Sequence, residues 1–77
     1  MTEYPFPVWC KKGASFRSGR LRKHVHGIID GVVVLKSWRR SKGYWQYEAE
    51  DMETVALFVA KGLYSDFKNA KGTKIDG

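Results

Sequence analysis

His24 and His26 stand two positions apart, so on an extended strand they share a face, as a metal pair or an acid–base pair requires. A closed zinc site wants about four ligands, and only Cys10 and nearby carboxylates are there to complete one. Beside Arg22 and Lys23, the two imidazoles suit contact with a phosphate better. Glu48, Glu50 and Asp51 crowd one stretch, and with Asp30 they outline a site that could hold Mg²⁺ for phosphodiester cleavage. No motif spacing backs that reading, and helix capping and ion pairing account for the same acids. Cys10 has no base near it in sequence and fits a small core cysteine. Gly27, Gly31, Gly43 and Gly62 form neither a GxGxxG nor a Walker-type loop, so no nucleotide cofactor is indicated. The expectation is a protein without catalytic activity, metal or cofactor.

The stronger pattern is basic and aromatic. Fourteen Lys and Arg face eight acids, a formal +6. Residues 1–42 hold ten of the cations against two acids, and residues 43–77 hold four against six. The cations cluster at Arg17–Lys23 and at Lys36–Lys42, interleaved with Phe16, Trp38, Tyr44 and Trp45. Such a pattern suits a polyanion, with rings offering stacking surfaces to unpaired bases. The candidate nucleic-acid-binding residues are Arg20, Arg22, Lys23, Lys36, Arg39, Arg40, Lys42, Tyr44 and Gln46. Double-stranded DNA is the leading partner, ahead of RNA. The alternative is a protein-interaction module that docks on an acidic protein, with Trp38 and Tyr44 as anchors. An edge strand and exposed tryptophans would also permit a homodimer.

These residues need a scaffold, and the chain is long enough for one domain only. Leu21 to Ile29 is β-compatible and runs into Asp30-Gly31, a pair suited to the positive φ values of a type I′ turn. The β-branched run Val32-Val33-Val34-Leu35 continues through Trp38, and Arg39 to Gly43 connects it to the alternating segment Tyr44 to Glu50. That alternation sets Trp45, Tyr47 and Ala49 on one face and Tyr44, Gln46, Glu48 and Glu50 on the other. Trp45 and Tyr47 are expected in the core, so that truncating Trp45 would cost about 3–5 kcal/mol.

Asp51 reads as a helix N-cap, with Glu53 in the first turn and an apolar stripe of Met52, Val55, Ala56, Val59 and Leu63 over 52–61. Gly62 supplies the left-handed residue that ends it. Residues 65–71 suggest a second short helix. Pro5 and Pro7 limit Val8-Trp9-Cys10 to a short N-terminal edge strand, Gly13–Gly19 reads as a mobile basic loop, and 73–77 reads as a disordered tail after a domain spanning 1–72. The expected fold class is α+β: a three-stranded antiparallel β-meander, with a fourth short N-terminal strand as an option, and one C-terminal helix on one face.

The stretch Lys36-Ser37-Trp38 to Gly43-Tyr44-Trp45-Gln46-Tyr47, with Glu53 to Gly62 after it, resembles two families in layout. They are the small sheet-reading DNA-binding domains at the N-termini of phage-type tyrosine recombinases and the plant AP2-type domains. The resemblance spans about half the chain. It implies a sheet in the major groove, with Lys36, Arg39, Arg40, Lys42 and Gln46 at the DNA. The compact, tryptophan-rich chain also resembles small accessory proteins of bacteriophages, which implies a host protein as the alternative partner. The apolar run from Ile28 to Leu35 is interrupted by Asp30-Gly31, so no segment is expected to span a bilayer. Met1 to Pro5 lacks the features of a signal peptide, and the one cysteine suits a reducing compartment, which together predict a cytoplasmic protein.

Overall fold

The computed structural model describes residues 4–75; Met1 to Glu3 and residues 76–77 of the expected tail lie outside the described residues. Five strands and a helix follow one another as β1 Ser15–Ser18, β2 Leu21–Ile29, β3 Val32–Arg39, β4 Tyr44–Asp51, α1 Met52–Ala60 and β5 Ser65–Lys68. Every neighbouring pair is antiparallel, in the order β4-β3-β2-β1-β5. The α+β class and the β2-β3-β4 meander match the sequence reading. The sheet has five strands where three or four were expected, and the helix precedes β5 instead of closing the chain.

Local chemistry explains the elements. Asp30 and Gly31 both have positive φ, 50° and 76°, as a type I′ hairpin demands. α1 ends in a Schellman arrangement: the Gly62 amide donates to the Val59 carbonyl, the Leu63 amide donates to that of Phe58, and Gly62 has φ 74°. Asp51 sits at the N-cap in extended backbone but its carboxylate accepts no capping bond, contrary to expectation. The Met52 amide instead donates to the Gly31 carbonyl across the hairpin.

Three expected segments take other forms. The segment Val8-Trp9-Cys10 is a turn, with the Cys10 amide donating to the Pro7 carbonyl, and it drives Cys10 into the core and Trp9 against Phe67. Within the expected loop 13–19 lies β1. Phe16 is fully buried there, and Gly19 holds φ 65° in the two-residue turn to β2. Instead of a second helix, residues 65–68 form β5 on the far side of β1. Asn69 explains the break: its side-chain oxygen accepts the amides of Lys71 and Thr73, a local pairing that competes with helix. Lys74 then bridges Lys68, and the Ile75 amide donates to the Phe67 carbonyl, so Thr73–Ile75 runs back along β5.

The core gathers Cys10, Ala14, Phe16, Val25, Val33, Leu35, Val55 and Tyr64 on the helix side of the sheet. Tyr64 stacks on Phe16 at 4.2 Å between centroids and meets Phe58 edge-on. Ala56 is also buried, Met52 and Val59 are half-buried, and Leu63, expected in the helix stripe, is exposed. The largest departure concerns β4. Its alternation is as expected, but its faces are inverted. Val33 and Leu35 are core residues whose cross-strand partners are Glu50 and Glu48, whereas Trp45 and Tyr47 lie opposite Trp38 and Lys36 on the other face. Because β4 is an edge strand, its helix-side carboxylates reach solvent past the rim of the core, and Glu48 pairs with Lys23 there. Trp45 and Tyr47 are thus no part of the core. Among the described residues no helix is long and apolar enough to cross a membrane.

Candidate nucleic-acid interface

The sheet face opposite α1 is bare and carries most of the molecule's exposed rings. Trp38, Trp45 and Tyr47 are 47%, 40% and 53% exposed. Ring contacts hold them in two neighbouring groups. Trp38 meets Trp45 edge-on at 5.4 Å, His24 meets Trp45 at 5.7 Å, and His26 meets Tyr47 at 5.2 Å. Lys36 sets its ammonium 5.0 Å from the centre of the Trp45 ring. The rings come from adjacent strands in register, so pairing across β2, β3 and β4 fixes their spacing. The same alternation that turns Trp45 and Tyr47 outward turns Glu48 and Glu50 to the helix side. Around Trp45 the face is left cationic, with Glu48 and Glu50 behind it.

Cations concentrate at the end of the sheet where the β1–β2 and β3–β4 turns meet. A depression of about 850 Å³ opens there, lined by Arg20, Leu21, Arg22, His24, Trp38, Arg39, Arg40 and Ser41. Arg22 is anchored: it donates to the Ser15 hydroxyl at 2.8 Å, to the Asp66 carbonyl at 3.2 Å, and pairs with the Asp66 carboxylate. Arg20, Arg39 and Arg40 form no ion pair among the described residues. A second hollow, about 330 Å³, lies beside Lys12, His24, His26, Lys36 and Trp45.

Of the nine residues singled out from sequence, Arg20, Arg22, Arg39 and Arg40 line the first depression and Lys36 stands on the aromatic face. Lys42 is exposed in the β3–β4 turn. Lys23 is drawn to the helix side by Glu48, and Tyr44 and Gln46 share that side, away from Trp45. Sequence reasoning missed Tyr47 as an interface residue, because an aromatic in an alternating strand reads first as core. The glutamates interleaved with it point the same way, since exposing Glu48 and Glu50 would bury Trp45 and Tyr47; no local signal in the strand announces the inverted faces.

The other candidate chemistries come apart in space. Cys10 is buried on the core side, where burial pushes its thiol up to about 11, while His24 and His26 are on the opposite face. Asp51 faces away from Glu48 and Glu50, so the three acids do not converge. Among the described residues no group of three metal-ligating side chains forms. Burial also pushes the Tyr64 phenol up to about 12, helped by Glu50 and Glu48.

His24 is held below its ordinary value, first by partial burial and then by the cations Arg22 and Lys36. The unfolded chain therefore takes up that proton before the folded one. This site costs the fold nothing above the unfolded value of 6.5 and destabilises it as pH falls through 6.5 toward the lower folded value. The melting temperature should drop between pH about 7.5 and about 5.5, and His24→Asn should flatten that drop. A parent melting temperature that stays level over this range would contradict the assignment.

The chain matches no protein-family model, no curated protein and no solved structure.

Proposed function

We propose that this chain is a non-catalytic nucleic-acid-binding protein that holds a single strand across the open face of its sheet. The observation that carries the reading is the row of exposed rings, Trp38, Trp45 and Tyr47, set among cations with the neighbouring glutamates turned away. Every base has a π-face, and unpaired bases gain by stacking on a protein ring, whereas duplex bases are already stacked. The rings thus favour a single strand over the duplex DNA expected from charge alone. Arginines in the adjoining turns serve the phosphates. DNA remains the first candidate.

A second reading rests on one observation: β4 is an eight-residue outer strand with one backbone edge unpaired. Such an edge can add a strand from a partner protein or a second copy. Tryptophan fluorescence discriminates the two. Titrating a mixed-sequence single strand should quench the emission and bind more tightly than the matching duplex. The logarithm of affinity should fall with that of salt concentration, with a slope of about 0.7 for each phosphate contacted. Changing Arg39 and Arg40 together to Ala should reduce that slope by about one and a half units. Absence of binding at low salt would end the nucleic-acid reading and leave the edge-strand alternative.

A further inference from the structure

The open face does not explain why four arginines line the depression at one end of it. Internal phosphodiesters recur at every nucleotide and carry one charge each, so a strand lying along the rings calls for cations spaced along its path. Lys36, beside Trp45, fits that spacing. The depression at the two turns does not. Four arginines from two stretches of the chain, Arg20 and Arg22, and Arg39 and Arg40, line it, with Ser41 beside them. One of them, Arg22, is held in place by Ser15 and Asp66, and the other three have no acidic partner among the described residues. Asp66 offsets only one of those charges.

Position adds a second constraint. Trp38 belongs both to the aromatic row and to the wall of the depression. Beyond it the sheet ends in the Gly19-Arg20 and Arg40–Gly43 turns. A strand whose last base stacks on Trp38 brings its terminus to the arginines. A terminal phosphomonoester carries close to two charges at neutral pH and exposes three acceptor oxygens, which matches several arginine forks better than a diester does.

We infer that the depression formed by Arg20, Arg22, Arg39 and Arg40 binds the terminal phosphate of a single strand whose end base rests on Trp38. The inference builds on the single-strand reading and makes the protein an end-binding one: it recognises phosphorylated ends over interior sequence.

The test uses the full chain and three short DNA strands of one sequence, bearing a 5′-phosphate, a 3′-phosphate, or hydroxyls at both ends. One phosphorylated strand should bind about tenfold more tightly than the hydroxyl strand, as expected for added charge-assisted hydrogen bonds. Inorganic phosphate should compete that advantage away. In the Arg20→Gln, Arg40→Gln variant the ratio between the phosphorylated and hydroxyl strands should fall to one, while the hydroxyl strand itself binds more weakly and with a shallower salt slope because Arg40 also serves interior phosphates; both side chains are exposed, so the fold should persist. Replacing the same two residues with lysine should recover only part of the gain, because an ammonium lacks the planar fork. Equal binding of all three strands, or a gain that survives in the glutamine variant, overturns the terminal-phosphate site alone. Failure of every strand to bind overturns the single-strand reading, and this site with it.

Discussion

Trp45→Ala is expected to leave the fold standing and to weaken binding of a single strand by about tenfold, since one base–ring stack is worth about 1–3 kcal/mol. The ring is 40% exposed and touches Trp38, His24 and Lys36 but none of the buried core side chains. Its removal forfeits edge-to-face contacts of about 1 kcal/mol and opens no cavity. Trp38 is the matching position on β3, and Trp38→Ala with Trp45→Ala should lower affinity by about a hundredfold if two bases stack independently. Phenylalanine at position 45 should restore most of the loss, because it keeps a flat ring and drops only the indole nitrogen. Melting curves and strand titrations on the same samples decide the matter. A large fall in melting temperature for Trp45→Ala would mean that the ring belongs to the core after all. Unchanged affinity in the double variant would remove the rings from the interface.

The contrast between that expectation and a buried Trp45 marks where reading the sequence stops. The meander was legible because Asp30-Gly31 is a strong turn dipeptide and the segments either side of it are β-branched or alternating. The helix was legible through its stripe and Gly62. Periodicity also sorted β4 correctly into two sets of residues. It says nothing about which set faces inward, and that depends on which β3 residues form the core. Val33 and Leu35 do so, and their cross-strand partners are glutamates. Nor does any local signal announce β1. Ser15 to Ser18 is short and polar but for Phe16, and it becomes a strand because Phe16 is buried against Tyr64, 48 residues along the chain. β5 depends in turn on β1, whose other edge it pairs.

The candidate site was legible in its charges and not in their arrangement. Two basic clusters adjoining candidate strands implied one merged patch, and Arg20, Arg22, Arg39 and Arg40 do meet at one depression. Lys23 could not be told from Arg22 in sequence, since both lie in the same run. Alternation along β2 separates them: Arg22 turns toward Ser15 and Asp66, while Lys23 turns to the helix side and pairs with Glu48. The pair lies on the side away from the rings. It also offsets a carboxylate that the inverted face of β4 brings to the rim of the core.

Phe16→Ala should have the largest effect on stability, about 3–5 kcal/mol, which is comparable to the whole stability of a domain of this size. Phe16 has no exposed surface and is stacked on Tyr64, which in turn meets Phe58 of α1. It also sits in the central segment of β1, a strand of four residues that pairs with β2 on one side and β5 on the other. Truncation therefore leaves a cavity and also loosens the strand that ties β5 to the sheet. Far-ultraviolet circular dichroism at 25 °C should show a largely unfolded population, and urea titration should place the midpoint near zero denaturant. Phe16→Leu keeps most of the volume and should cost about 1–2 kcal/mol, leaving enough folded protein to measure. Strand binding by Phe16→Leu, corrected for the folded fraction, should equal that of the parent, because Phe16 lies on the face away from the rings. A cost for Phe16→Ala below about 1 kcal/mol, within the range of ordinary surface substitutions, would show that the core is not centred on β1 and Tyr64.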